Sequence, residues 1–278
     1  MAAPLNIAPA FALLGVGYRY PGAMTALRDL SFTIMQGEKV ALVGANGCGK
    51  STLIKVLDGL IFPQEGCVEA FGEALNESAL RDESAAFRFR RRVGFVFQQS
   101  DAQLFSPTVR EEIAFGPLQM GLGLEEVEGR IDDIADLLDI ARLLDRPPFQ
   151  LSGGEKKKVA LGCVLAVNPD VILLDEPTGG LDPRSQRWLV DLLVRLHAAG
   201  KTIVTATHDL DILPEISDRV LVFSEEHTLV ADMPPRPLLA DLDLLLRVNL
   251  IHEHTHRHGS LIHSHPHWHS GDHDHPHE

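Results

Sequence analysis

KVALVGANGCGKST (39–52) joins a run of β-forming residues to a glycine-rich turn that leads into a helical pattern. It satisfies G-x-x-x-x-G-K-[ST] at Gly44, Gly49, Lys50 and Ser51, in the strand–loop–helix context a phosphate site needs. Glycines let backbone N–H groups turn inward around phosphate oxygens, and the helix N-terminus adds about half a positive charge. On this reading Lys50 reaches the outer phosphates and the Ser51 hydroxyl ligates Mg²⁺. Asn46, Gly47, Cys48 and Thr52 complete the loop around the phosphates.

Working outward, FALLGVGY, LSFTIM and CVEAFG within residues 11–72 predict further strands, as does VGFVF (93–97). Strand signals return at VILLD (171–175), TIVTATH (202–208) and RVLVF (219–223), with a helix through SQRWLVDLLVRLHAAG that Gly200 closes. Alternating buried strands and helices predict an α/β fold with a mostly parallel sheet. Leu124, Val127, Ile131, Ile134 and Leu138 fall at helical spacing within 124–144, with acids opposite, which predicts an inserted helical region. Past Phe223 the core signal fades: MPPRP (233–237) reads as a linker and 238–250 as one amphipathic helix. From His252 no apolar periodicity survives.

A phosphate site also needs a carboxylate to hold its metal, and VILLDE supplies Asp175 after four apolar residues. Glu176 follows where a general base would polarise an attacking water. Adjacent acids at a strand end are common surface features, so the pair gains meaning only beside the glycine loop. LSGGEKKKVALG (151–162) adds Ser152 with the Gly153 and Gly154 amides at the start of a basic helix, a second anion cradle.

With GANGCGKST, LSGGE, VILLDEPTGGLDP and TATHD in this order, the chain resembles the ATP-binding-cassette ATPases over roughly residues 10–230. The resemblance implies a P-loop NTPase fold with a mostly parallel core sheet, an antiparallel β subdomain and an inserted helical subdomain at about 99–165. The ATPase domain then spans 1–235, the C-terminal helix 236–250 and a histidine-rich flexible tail 251–278. It further implies that Ser152, Gly153 and Gly154 contact the γ-phosphate of an ATP held by an opposing subunit, so that two copies meet head to tail. Gln98 resembles the family's Q-loop glutamine, touching Mg²⁺ and the water, with Gln99 as alternative. Asp182 resembles the aspartate at the dimer seam, and His208 the switch histidine beside the γ-phosphate. Tyr20 matches the aromatic that stacks on adenine, with Tyr18 as alternative. Glu155 departs from the family's usual glutamine but leaves the cradle intact.

The segment 93–122 is similar to that of energy-coupling-factor importers, which take up cobalt, nickel or vitamins through a separate transmembrane component and a substrate-binding membrane protein. No apolar run here is long enough to span a bilayer, and the N-terminus lacks the charged start of a secretion signal. The expectation is an ATPase peripheral to the cytoplasmic face of the cell membrane, driving those two membrane partners. Three cysteines without CxxC spacing fit a reducing compartment. A net charge of −14 opposes nucleic-acid binding, and RFRRR (88–92) reads as a solvated or protein-facing patch.

The tail from His252 to Glu278 holds 11 of the 14 histidines. Neutral imidazoles at H-x-H-x-H spacing suit Ni²⁺ or Co²⁺, which points to His252, His254, His256, His258, His263, His265, His267 and His269 as transition-metal ligands. A nickel or cobalt importer is the reading that uses them. Its rivals are a vitamin importer's ATPase, for which the tail is incidental, and a soluble cassette ATPase of DNA repair or translation. The latter usually has a coiled-coil insertion or a second cassette, absent here.

Overall fold

Apolar runs of five residues, too short for membranes, become central strands buried on both faces. The computed structural model describes residues 9–22, 24–258 and 261–267, with the backbone alone beyond Ile251. The strands are β1 (Phe11–Tyr20), β2 (Met24–Ile34), β3 (Lys39–Val43), β4 (Glu65–Ala70), β5 (Glu73–Ala74) and β6 (Val93–Val96). They continue with β7 (Val171–Asp175), β8 (Thr202–Ala206), β9 (Arg219–Phe223), β10 (Leu229–Met233), β11 (His252–His258) and β12 (Leu261–His267). The helices are α1 (Lys50–Leu57), α2 (Glu77–Leu80), α3 (Glu83–Arg92), α4 (Val109–Gln119) and α5 (Leu124–Leu138). After these come α6 (Gly153–Ala166), α7 (Pro183–Ala198), α8 (Leu213–Ile216), α9 (Pro235–Ala240) and α10 (Leu242–Arg247).

One sheet is antiparallel in the order β2-β1-β4-β5; the other runs β10-β9-β3-β8-β7-β6, parallel except for the β9–β10 pair. All residues of β3, β7 and β8 are buried, as parallel strands covered on both sides must be. Each large apolar side chain there contributes about 1.5–3 kcal/mol relative to exposure. Register fixes the functional edge: Val96 pairs with Leu174, Asp175 with Ala206, and Ala206 with Leu42. The chain therefore leaves β6, β7, β8 and β3 along one side of the sheet, carrying Gln98, Glu176, His208 and Gly44. Ligands of open α/β sheets bind at that carboxyl-terminal edge.

Helices α4, α5 and α6 form a second layer, with Ile113, Ile131, Ile134, Leu138 and Leu161 in one buried cluster. The periodic stretch 124–144 is not one helix: α5 stops at Leu138, Asp139 turns left-handed at φ 54°, and a 3₁₀ turn covers Ala141–Leu143. The segment 238–250 is likewise not one helix. Asp241 leaves helical geometry and its side chain caps α10 by accepting from the Leu244 amide. MPPRP is not a free linker either, since Met233 ends β10 and Pro235 begins α9, whose Leu238 packs with Leu244, Leu245 and Ile251 against β9.

RFRRR forms the last turns of α3, where cations favour the helix dipole. Arg92 stacks 3.4 Å from the Phe71 ring centroid and pairs with Asp170 at 2.6 Å, so part of the cluster faces protein. In the tail, β11 and β12 pair antiparallel, with His254 opposite His265 and His256 opposite His263. The alternating histidines there have the period of a strand even without apolar periodicity. His269 lies outside the described residues.

Candidate functional site

The P-loop is built by backbone that only glycine tolerates. Gly44, Gly47 and Gly49 have φ of 153°, 83° and 112°. A Cβ on Gly44 would meet the Phe223 carbonyl at 2.5 Å and Cys48 Sγ at 2.7 Å, so the loop closes on itself where a side chain would fill it. Lys50 is buried and donates from Nζ to the carbonyls of Gly44 (2.7 Å) and Ala45 (3.2 Å), which holds the ammonium inside the curve of the loop. Asn46 and Gly47 form the exposed lip. The Tyr20 hydroxyl lies 3.3 Å from Thr52 Oγ1, which ties that ring to the loop, whereas Tyr18 packs in the core.

Ser51 donates to Asp175 Oδ1 at 2.9 Å, joining the helix start to the end of β7. Burial pushes the Asp175 carboxyl up, against the lowering effect of the Ser51 hydrogen bond. A hydroxyl and a carboxylate oxygen in contact are the hard donors that Mg²⁺ takes, so this pair fits the ion. Glu176 is buried with φ 44°, a left-handed conformation costly for a residue with a Cβ. Its Oε2 lies 2.8 Å from Nδ1 of His208, whose amide also donates to it at 3.4 Å. His208 is exposed, so a carboxylate fixed from below is joined to a ring open to solvent.

Ser152 is the N-cap of α6 in a capping box with Glu155. The Ser152 hydroxyl donates to Glu155 Oε2 at 2.9 Å, and Arg142 pairs with the same carboxylate at 2.7 Å. The bond from the Ser152 amide, with that from its hydroxyl, holds Glu155 below the usual carboxylate range. Glutamate in place of glutamine thus strengthens the cap while adding a charge that Arg142 opposes. Gly153 is exposed and helical, leaving its face open as a cradle. Asp182 caps α7 and accepts from the Ser185 amide at 3.0 Å and hydroxyl at 2.7 Å.

Side chains within these motifs take separate places. Cys48, counted as part of the nucleotide loop, points its thiol into the core at 2% exposure, and burial raises the thiol pKa. Only its backbone belongs to the loop. The three lysines after LSGGE go to three different partners. Lys156 pairs with Asp101 at 2.6 Å, Lys157 is buried beneath the Gln98 segment, and Lys158 donates to the Leu138 carbonyl at 2.9 Å. Among the residues of this basic helix, Lys157 was not singled out from the sequence. The signal was its spacing: Lys157, Leu161 and Val164 lie at i, i+4 and i+7 on the buried stripe of α6.

Gln98 is exposed at the end of β6, and Gln103 holds the segment by donating to the Phe95 carbonyl and accepting from the Phe97 amide. Beyond it, Phe105 and Phe115 meet edge to face at 5.0 Å and remain 67% and 46% exposed. The buried Glu112 accepts from the Phe105 and Ser106 amides and fixes that aromatic pair at the rim of a groove between the sheet and α4. Among the described residues no helix is long and apolar enough to cross a membrane. The tail histidines His252, His254, His256, His258, His263, His265 and His267 have described backbone only.

A family model described as ABC transporter matches residues 27–179. A putative ABC transporter ATP-binding protein of Methanosarcina acetivorans is 51% identical over 271 residues, covering 96% of this chain and 98% of that protein. The nickel import ATP-binding protein NikO of Rhodobacter capsulatus is 46% identical over 246 residues, 87% of this chain and 96% of its own. Among solved structures, cbiO1 of Clostridium perfringens, part of the ABC transporter complex cbiONQ, has TM-score 0.75 at 34% identity over 87% of this chain and 95% of that one. The cassette MJ0796, solved as a dimer in a post-hydrolysis state with ADP and Pi, has TM-score 0.73 at 29% identity over 81% and 99%.

Proposed function

This chain belongs to the ABC transporter family as an ATP-hydrolysing subunit, and from that premise we propose that it powers an energy-coupling-factor importer for nickel or cobalt ions. The observation that carries the reading is the single sheet edge on which Lys50, Ser51, Asp175, Glu176 and His208 converge. The similarity to a nickel import ATP-binding protein supports the choice of cargo.

In this proposal the P-loop amides and Lys50 hold the β- and γ-phosphates of ATP, and Tyr20 stacks on the base. Ser51, Asp175 and Gln98 hold Mg²⁺, which offsets phosphate charge when bound. Glu176 orients and deprotonates the attacking water, while His208 keeps that carboxylate in place from the solvent side. Glu176 is suited to the task because its backbone strain and its bond to His208 leave it one position. Ser152, Gly153 and Gly154 meet the triphosphate bound by a second copy, with Asp182 at the seam. A transmembrane component docks at the Phe105–Phe115 rim, and a substrate-binding membrane component completes the complex at the cytoplasmic face. The histidine tail binds Ni²⁺ or Co²⁺ on the same side.

The test is metal uptake by cells expressing this chain with its membrane partners, comparing Ni²⁺ with Co²⁺. ATP-dependent accumulation of either ion, lost in Lys50→Ala, is expected. Transport of a vitamin without either ion would overturn the cargo assignment.

A further inference from the structure

Three consecutive lysines follow the Ser152 turn, and each moors α6 to a different element. Lys158 reaches the end of α5 through the Leu138 carbonyl and lies 4.7 Å over the Trp188 ring of α7. Lys156 pairs with Asp101 at 2.6 Å in the 3₁₀ turn Ser100–Ala102. Lys157 is 4% exposed, and its Nζ donates to the carbonyls of Gln98 at 3.0 Å and Phe97 at 3.5 Å. Among the described residues no carboxylate lies within ion-pair distance of it.

An ammonium taken out of water costs several kcal/mol unless other groups replace its hydration. Here those groups are backbone carbonyls of the segment that leaves β6. The Asp175 carboxylate attracts the ammonium from a greater distance, and the rest of the offset lasts only while the segment keeps its position against α6. Hydrogen bonding to the Gln98 carbonyl also limits rotation about the peptide that aims the Gln98 side chain. Lys156 and Asp101 fasten the same segment three residues further on, so the segment is held at two points by consecutive residues of one helix.

We propose that Lys157 is a positioning residue that keeps the Gln98 backbone in step with the helix bearing Ser152, so that both motifs shift as one body when ATP draws two copies together. The proposal rests on the reading above, in which Gln98 faces the chain's own nucleotide and Ser152 the partner's. It predicts a specific division of effects. Binding of MgATP survives loss of the clamp, because Lys50, the glycine loop, Ser51 and Asp175 still hold nucleotide and ion when Gln98 is displaced; turnover does not, because a misplacement of about 1 Å at a reacting centre costs up to roughly a hundredfold.

The experiment uses the full chain and measures MgATP affinity, kcat and the unfolding midpoint in Lys157→Met and Lys157→Arg. Methionine keeps the buried stem without donors. It is expected to lower kcat by about tenfold or more with affinity changed by less than about twofold, and without a lower midpoint. Arginine keeps charge and donors and is expected to restore most of the rate. Turnover at the parent rate in Lys157→Met overturns the proposal, as does equal loss in both variants together with a lower midpoint. Should the methionine variant not fold, Lys157→Leu, which also lacks a donor, takes its place under the same criteria. Glu176→Gln serves as control: if it too turns over at the parent rate, the reading of the sheet edge has failed and not the clamp.

Discussion

Asp58 ends the helix that the nucleotide loop begins, and its carboxylate sits where a helix terminus is already negative. Burial pushes its carboxyl up to about 7, a rise only partly opposed by Arg90. The folded state therefore holds this proton more tightly than the unfolded chain does. Its contribution is favourable at acid pH, is lost as pH rises from about 4 to about 7, and stays lost above that. The full linkage is roughly 4 kcal/mol, and at about 2–4 °C per kcal/mol for a chain of this size even half of it is measurable. Asp58→Asn is expected to raise the unfolding midpoint by about 5 °C at pH 8 and to leave it near that of the parent at pH 4. Scanning calorimetry at the two pH values decides; an equal shift at both would remove the carboxyl from the explanation. Glu176 is another residue whose state the fold sets: its position after a buried strand was legible, but its left-handed backbone and its bond to His208 were not.

At the scale of elements, the end of the folded body lies two residues beyond Asn249. Ile251 is 2% exposed and packs with Leu238, Leu244, Leu245 and Val248. Truncation after Ile251 is expected to leave the unfolding midpoint unchanged while lowering the Ni²⁺ bound per chain in equilibrium dialysis. Truncation after Asn249 also removes Ile251, whose burial is worth about 1.5–3 kcal/mol, and should lower the midpoint. Undiminished Ni²⁺ binding by the longer truncate would exclude the tail as the metal-binding element. Amphipathic periodicity located α5 and the C-terminal helices but not their breaks. Those breaks depend on Asp139 turning left-handed and on Asp241 turning out to cap α10, both polar positions that look ordinary in a periodic pattern.

At the scale of the whole molecule, one chain carries a complete P-loop edge and a Ser152 cradle on its helical layer. Glu176→Gln keeps the shape of the side chain but removes its basicity, so MgATP should accumulate instead of turning over. The expected result is a species of about twice 30.5 kDa in light scattering with MgATP, and turnover reduced by about a hundredfold or more. A monomer under those conditions would remove the head-to-tail arrangement. The sequence alone determined the P-loop, the Asp175–Glu176 pair, the Ser152 turn and the α/β class, because each rests on local spacing: a glycine where φ is positive, a period of two or 3.6, an acid ending an apolar run. Only the tertiary structure decided which carbonyls Lys157 reaches, where the Cys48 thiol points and how Glu176 meets His208. These depend on contacts between segments distant along the chain, and pairing of that kind leaves no period in the sequence to read.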